Sequence, residues 1–187
     1  MKISRGIHKG RNINVPEEIR PVSRKVKESC FNIVKDIVVD AAVLDLFAGS
    51  GALGLEAISC GAKSAVFVDY SKASLEIVSE NIEALGLAAK ARAIYGDALE
   101  RVKDFKARGQ TFDLIFLDPP YYQGILNKVL QRISEYDIVS DFGFLVAFCY
   151  ESDEFANKYG AFSLILEKKY GQNRVLVYEK SDLSGNV

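Results

Sequence analysis

The sequence predicts an α/β protein built on an open, doubly wound, mostly parallel sheet. Two observations carry that expectation. From about residue 42 short apolar runs alternate with helical stretches at βαβ spacing, the rhythm that lays helices on both faces of a parallel sheet. One run, FDLIFL (112–117), is apolar apart from Asp113, as suits a strand covered on both sides. With 187 residues, 49% hydrophobic and 26% charged, the chain can bury a sizeable core in one domain with a short appendage.

The elements follow in order. Residues 1–40 break the rhythm and are read as an N-terminal extension packed on a body of residues 41–187. ISRGIH and RNINV suggest a small β-hairpin around Lys9-Gly10, and residues 23–37 an amphipathic helix with Val26, Cys30, Ile33 and Ile37 inward. AVLDLF (42–47) is a buried-type strand that runs into the glycine-rich AGSGALG, and 52–60 fits a helix ending at Gly61. SAVFVD (64–69) is the next strand, with Ser71 as N-cap of a helix that aligns Leu75, Val78, Ile82 and Leu85 and stops at Gly86. KARAIY (90–95) is a strand and 98–107 a helix. FDLIFL precedes a helix over 124–134 and a strand near 143–149. FSLILEKKY (162–170) and RVLVYEK (174–180), separated by Gly171, form a closing antiparallel hairpin. Seven strands result.

Composition narrows the chemistry. A single histidine, His8, outside the main core pattern, argues against Ser-His-Asp catalysis and multi-histidine zinc sites. Cys30, Cys60 and Cys149 are odd in number and widely spaced, so neither a disulfide framework nor a metal site is expected. No apolar run reaches membrane-span length, and MKISRGIHKGR lacks the apolar core of a secretory signal. A cytoplasmic protein without a membrane partner is expected. The net charge of −1 hides an asymmetry: residues 1–35 carry +6 and the remainder −7. A basic arm on a mildly acidic body reads as a phosphate-contacting surface, with Arg5, Lys9, Arg11 and Arg24 as candidate contacts.

The loop Gly49-Ser50-Gly51-Ala52-Leu53-Gly54 matches G-x-G-x-x-G between a strand and a helix, and Asp69 ends the next strand. Glycines let the backbone approach a ligand, the helix start offers N–H donors, and the acid can take both ribose hydroxyls. A dinucleotide oxidoreductase fits that fingerprint alone. Asp45 speaks against it, because a carboxylate four residues before Gly49 repels a pyrophosphate but accepts from an ammonium group. Asp97, at the end of the third strand, can accept from an adenine amine. Three strand-end acids suit a ligand with an amino group, a ribose and an adenine but no phosphate: S-adenosylmethionine.

Asp118-Pro119-Pro120-Tyr121 leaves the fourth strand. Two prolines stiffen this loop and remove N–H donors, leaving acceptors to hold an amine on a planar ring. Accepting both amine hydrogens, at the Asp118 carboxylate and the Pro119 carbonyl, favours a pyramidal nitrogen with its lone pair aimed at a methyl carbon. Tyr121 supplies a ring for stacking. No strong base is needed, since the nitrogen becomes acidic only after methylation.

With DLFAGSGALGLEA (45–57) and DPPY (118–121) in place, the chain resembles the DPPY S-adenosylmethionine-dependent amino-methyltransferases. RGIHKGRNINVP (5–16), RPVSRKVKESCFNIV (20–34) and YGQNRVLVYEK (170–180) narrow the resemblance to the bacterial 16S rRNA guanine-N2 methyltransferase family (RsmD-like), over nearly the whole chain. The resemblance implies a seven-stranded, Rossmann-like methyltransferase sheet. It places Asp45, Phe47, Ala48, Gly49, Gly51, Asp69, Tyr70, Asp97 and Ala98 at the cofactor, and Asp118, Pro119, Pro120 and Tyr121 at the reaction. It further implies conversion of S-adenosylmethionine to S-adenosylhomocysteine without a metal, with 16S ribosomal RNA in the small subunit as partner. Val22, Arg24 and Lys25 stand where the family usually has Thr, Asp and Arg, and Asp69 where it usually has Glu. Alternatives are a DPPY methylase of DNA adenine, other RNA or protein glutamine, and a non-catalytic ribosome-assembly protein that keeps the fold; intact Asp118, Pro119, Pro120 and Tyr121 argue against the last.

Overall fold

The computed structural model describes residues 1–16, 23–120 and 124–181. In chain order the elements are α1 (Arg24–Ile33), β1 (Ala42–Asp45), α2 (Ala52–Ser59), β2 (Ser64–Asp69), α3 (Lys72–Ala84), β3 (Ala91–Tyr95), α4 (Ala98–Ala107), β4 (Phe112–Leu117), α5 (Ile125–Tyr136), β5 (Val139–Tyr150), β6 (Lys158–Tyr159), β7 (Phe162–Tyr170) and β8 (Asn173–Lys180). One sheet holds these strands in the order β3-β2-β1-β4-β5-β8-β7-β6. The first five pair in parallel, and β8 inserts antiparallel against β5. The expected seven strands become eight because Lys158–Tyr159 adds a two-residue edge strand on β7, too short to leave a period in the sequence.

Alternation along the central strands divides the core. Val43, Phe67, Leu114, Phe116, Val146 and Phe148 meet α1, α2 and α3 on one face. Leu44, Val66, Val68, Ile115, Leu117 and Leu145 meet α4 and α5 on the other. Both faces are covered, so β4 has no solvent side.

The N-terminal segment forms a short version of the expected hairpin. Around one antiparallel bridge, Lys2 with Asn12, the N–H groups of Ile3, Gly10 and Ile13 donate to the carbonyls of Arg11, Ile3 and Met1. The remaining donors near its tip dock it on the body. Ser4 N–H donates to the Glu56 carboxylate, Ile7 N–H to the Ser59 carbonyl and His8 N–H to Ser59 Oγ. Helix α2 thus anchors the outward-facing donors of the hairpin and its turn. Ile3 and Ile13, with Val26, Cys30 and Phe31 of α1, join the core on the α2 face. Helix α1 stops at Ile33, short of the expected 37: Val34 caps it and a turn from Val34 to Val38 leads toward β1. In place of the expected beginning at 143, β5 starts at Val139. A register shift against β4 accommodates Phe142, whose φ is +60°.

Beneath α1 lies an ion pair that periodicity did not show. Lys27 and Glu56 are both 0% exposed, with Nζ 2.5 Å from Oε2. Lys27 Nζ also donates to the Lys2 carbonyl, and the Glu56 carboxylate accepts from Ser4 N–H as well. Each charge therefore has hydrogen-bond partners beyond its counterion, a condition for keeping such a pair in a dry core.

Candidate active site

The strand order places a switch between β1 and β4: from β1 the chain winds outward through β2 and β3, then returns to β4 on the other side. Ligands of open α/β sheets sit beyond the strand C-termini at such a point. Asp45 closes β1, Asp69 closes β2, Asp97 follows β3 and Asp118 follows β4. Asp45 pairs in register with Phe116, so Asp118 lies two residues further along the neighbouring chain, just past the end of β4.

Asp45 is 1% exposed. Its Oδ2 accepts from Gly54 N–H at 3.0 Å, while Oδ1 is buried without a partner among the described residues. Burial pushes its carboxyl up to about 8; the Gly54 N–H opposes the rise, and the nearby Asp118 and Asp69 add to it. A cation would satisfy the orphaned oxygen and reverse the cost. The loop above it is built for close approach. Gly51, at φ +76°, is the N-cap of α2 without a side-chain cap, so the Ala52 and Leu53 N–H groups stay available while Asp45 holds that of Gly54. A Cβ on Gly54 would lie 2.4 Å from the Phe67 ring, which fixes how near α2 packs to β2.

Asp69, nearly buried, receives Gly49 N–H on Oδ2 and Ser71 N–H on Oδ1, each at 2.8 Å. It shapes the glycine loop and still has lone pairs for a ligand hydroxyl. Ala48 is buried, Phe47 half-buried and Gly51 buried, while Tyr70 is 67% exposed beside Asp69. Asp97 has a second duty that the sequence did not show. Exposed, it N-caps α4, with Oδ1 accepting from Leu99 and Glu100 N–H at 2.9 and 3.2 Å, and Ala98 is buried behind it.

Asp118 is half-buried, followed by buried Pro119 and exposed Pro120. Burial raises its carboxyl to about 7, so it changes charge near neutral pH. Tyr121 and Val22 lie outside the described residues. Among the described residues no cluster of three or more His, Cys, Asp or Glu could hold a metal ion, and no helix is long and apolar enough to cross a membrane.

The structure gathers Arg5, Lys9 and Arg24 around one groove of about 590 Å³, together with Lys35 and Glu28. Arg5 donates to Asn32 Oδ1, and Arg24 is held by Glu28 at 2.7 Å. Arg11 is not in that group; it donates to the Ala84 carbonyl at the end of α3. Val38 and Cys60 also line the groove. They precede β1 and follow α2, so that end lies at the opposite edge of the sheet from Asp118, across about 20 Å of six-residue strand. Sequence reasoning missed Asn81, 2% exposed on α3, whose Nδ2 donates both to the Asn14 carbonyl and to the Ser50 carbonyl of the glycine loop. The available signal was a lone amide between Val78 and Ile82 on an otherwise apolar helix face; Glu56 within ALGLEAISC was the matching signal for the buried pair.

A doubly wound sheet with a glycine loop, strand-end acids and a proline-stiffened Asp118 loop defines a Rossmann-like methyltransferase fold, and several proteins of matching architecture carry methyltransferase names. The Escherichia coli protein yhhF, assigned as a methyltransferase, superposes with a TM-score of 0.85 at 29% identity, covering 97% of this chain and 98% of its own. The chain belongs to the sequence family described as Conserved hypothetical protein 95, matched over residues 1–179. It is 31% identical over 186 residues to ribosomal RNA small subunit methyltransferase D of Escherichia coli K12, covering 96% of this chain and 90% of that one. It is 36% identical over 183 residues to YlbH of Bacillus subtilis strain 168, assigned as an rRNA methyltransferase, covering 96% and 99%.

Proposed function

We propose that this protein transfers a methyl group from S-adenosylmethionine to the exocyclic N2 amine of a guanine in 16S ribosomal RNA, within the small subunit and in the cytoplasm. The observation that carries this reading is the pairing, at adjacent strand ends, of a buried unpartnered Asp45 oxygen with a desolvated Asp118 on a donor-poor proline loop. The names of the relatives above support the RNA substrate. The residues fit the cofactor: Asp45 Oδ1 would take its ammonium group, Asp69 its ribose hydroxyls, and Asp97 Oδ2 its adenine amine, with Phe47, Ala48, Gly49, Gly51, Tyr70 and Ala98 around it. When bound, S-adenosylmethionine supplies an electrophilic methyl carbon.

The chain's own residues then orient the nucleophile. The Asp118 carboxylate and the Pro119 carbonyl accept from the two amine hydrogens and hold the nitrogen lone pair on line. Tyr121 stacks on the base. With its carboxyl near 7, Asp118 can also hold the proton that the nitrogen sheds once it is methylated. A guanine must leave its stack to reach this loop, which costs least in a bulge or single strand. The Arg5, Lys9 and Arg24 groove grips phosphates at a distance. An RNA reaching from its far end to Asp118 spans about 20 Å, or about six stacked nucleotides, which favours a folded RNA over a free nucleotide. Labelled S-adenosylmethionine offered with small subunits, bare 16S RNA, transfer RNA, DNA and protein tests the reading. Uptake by small-subunit RNA is expected; uptake only by DNA or protein refutes it.

A further inference from the structure

A cavity of about 100 Å³ opens between the Asp118 loop, the start of α5 and the chain that leaves β5. Pro119, Pro120, Asn127, Phe148, Asp153 and Phe155 are among its walls. The segment 151–157 on its outer side has no regular structure, yet side chains from α5, β6 and β8 pin it. Asn127 Nδ2 donates to the Glu154 carbonyl at 3.1 Å, and Tyr178 Oη donates to the Ala156 carbonyl at 2.9 Å. Ala156 N–H donates to Tyr159 Oη, which in turn donates to Asn127 Oδ1. Arg174 donates to the Asp153 carbonyl and lies over the Phe155 ring. A surface loop of this kind is ordinarily among the least constrained parts of a fold. Here its shape is fixed at successive residues beside the reacting loop.

Within it the Asp153 carboxylate is half-buried and oriented: Oδ2 accepts from Tyr150 N–H at 3.1 Å, and Oδ1 makes no hydrogen bond among the described residues. Glu154, its neighbour, is exposed and its carboxylate is unanchored among the described residues, so it lacks the fixed direction that selective recognition needs.

We propose that Asp153 selects guanine by accepting a hydrogen bond from its N1–H while the N2 amine sits at Asp118 and Pro119. This rests on the guanine-N2 reading above. Guanine presents N1–H and the N2 amine side by side on one edge, so two acceptors lining one cavity match two adjacent donors. Adenine presents a lone pair at N1, which a carboxylate repels. A buried polar group left facing the wrong partner is what gives such sites their discrimination.

The test uses RNA carrying the mapped target nucleotide, assembled into small subunits where transfer requires it, made once with guanine and once with 2-aminopurine. The analogue keeps the N2 amine but has a lone pair at N1. The wild-type protein is expected to prefer guanine by at least about 10-fold in kcat/KM, the effect of losing one charge-assisted hydrogen bond. Asp153→Asn, whose amide can donate to N1, is expected to bring the ratio to parity or below. A merely structural role for Asp153 would lower both rates together and leave the ratio unchanged, which overturns the proposal. So does a wild-type protein that does not discriminate, a result that needs no variant. If the wild-type protein methylates adenine and never guanine, the guanine-N2 reading itself fails, a separate and recognisable outcome.

Discussion

Replacing Asp45 by Asn should stabilise the cofactor-free protein while weakening its hold on the cofactor. The carboxyl titrates at about 8 in place of an ordinary aspartate's 3.8, because it is buried with one oxygen unpaired. At about 1.4 kcal/mol per pH unit, carrying this carboxyl protonated at pH 7, where the unfolded chain's is ionised, costs the fold about 4 kcal/mol. An amide retains the acceptor for Gly54 N–H and carries no charge, but its N–H₂ would stand unpartnered where Oδ1 was, at about 1–3 kcal/mol. The net gain is about 1–3 kcal/mol at pH 7, several degrees in Tm for a chain of this size. Its pH dependence is diagnostic. Between about pH 4 and 8 the folded chain holds a proton at Asp45 that the unfolded chain has released, so wild-type stability falls as pH rises through that window. Below about pH 4 both states hold the proton and the advantage of the variant vanishes. Urea unfolding of both proteins from about pH 4 to 8 reads this directly, and calorimetry should show S-adenosylmethionine binding about 10- to 150-fold weaker in the variant. Parallel stability profiles, or a variant less stable at the alkaline end, would refute the desolvated-carboxylate argument.

Other outcomes follow from the same geometry. Asp118→Asn should abolish most methyl transfer while sparing cofactor affinity, and the wild-type pH–rate profile should rise through about 7 as Asp118 ionises; a rise that persists in the residual activity of the Asp118→Asn variant would assign it to another group. Lys27→Met leaves Glu56 charged and buried, so stability should fall by about 3–5 kcal/mol and recover in part when Glu56→Gln is added; urea midpoints of the three proteins decide it. Charge reversal of Arg5, Lys9 and Arg24 should weaken RNA binding and flatten its dependence on salt by about 0.7–0.9 per lost phosphate contact, with cofactor affinity unchanged in calorimetry. Deleting residues 1–16 is a poorer test, because Ile3 and Ile13 are core residues and the deletion should unfold the protein before it reports on RNA.

The parallel body was legible because β1, β2 and β4 bury both faces and α3, α4 and α5 bury one. Ser64–Asp69, Ala98–Ala107, Phe112–Leu117 and Phe162–Tyr170 begin and end where the apolar runs and caps do. The acids at the strand ends were legible for the same reason, since a strand's end fixes where its last side chain stands. What escaped was set by distant partners. The docking of the N-terminal hairpin escaped because Glu56 and Ser59, some fifty residues away, hold its outward-facing donors. Lys27 reads as a surface residue until Glu56 is placed beneath it. Asp97 was read for its charge alone, although its position before Leu99 and Glu100 makes it a helix cap. Asp153 sits in a segment without period or motif, held by tyrosines and an asparagine from three other elements.

The most direct measurement of the central claim is the nucleoside content of small-subunit RNA after treatment with the protein and isotopically labelled S-adenosylmethionine, digested and resolved by mass. The expected result is one labelled N2-methylguanosine per subunit, absent with Asp118→Asn. Label on adenosine, on a ribose or on ribosomal protein, with none on the guanine N2 amine, would contradict it.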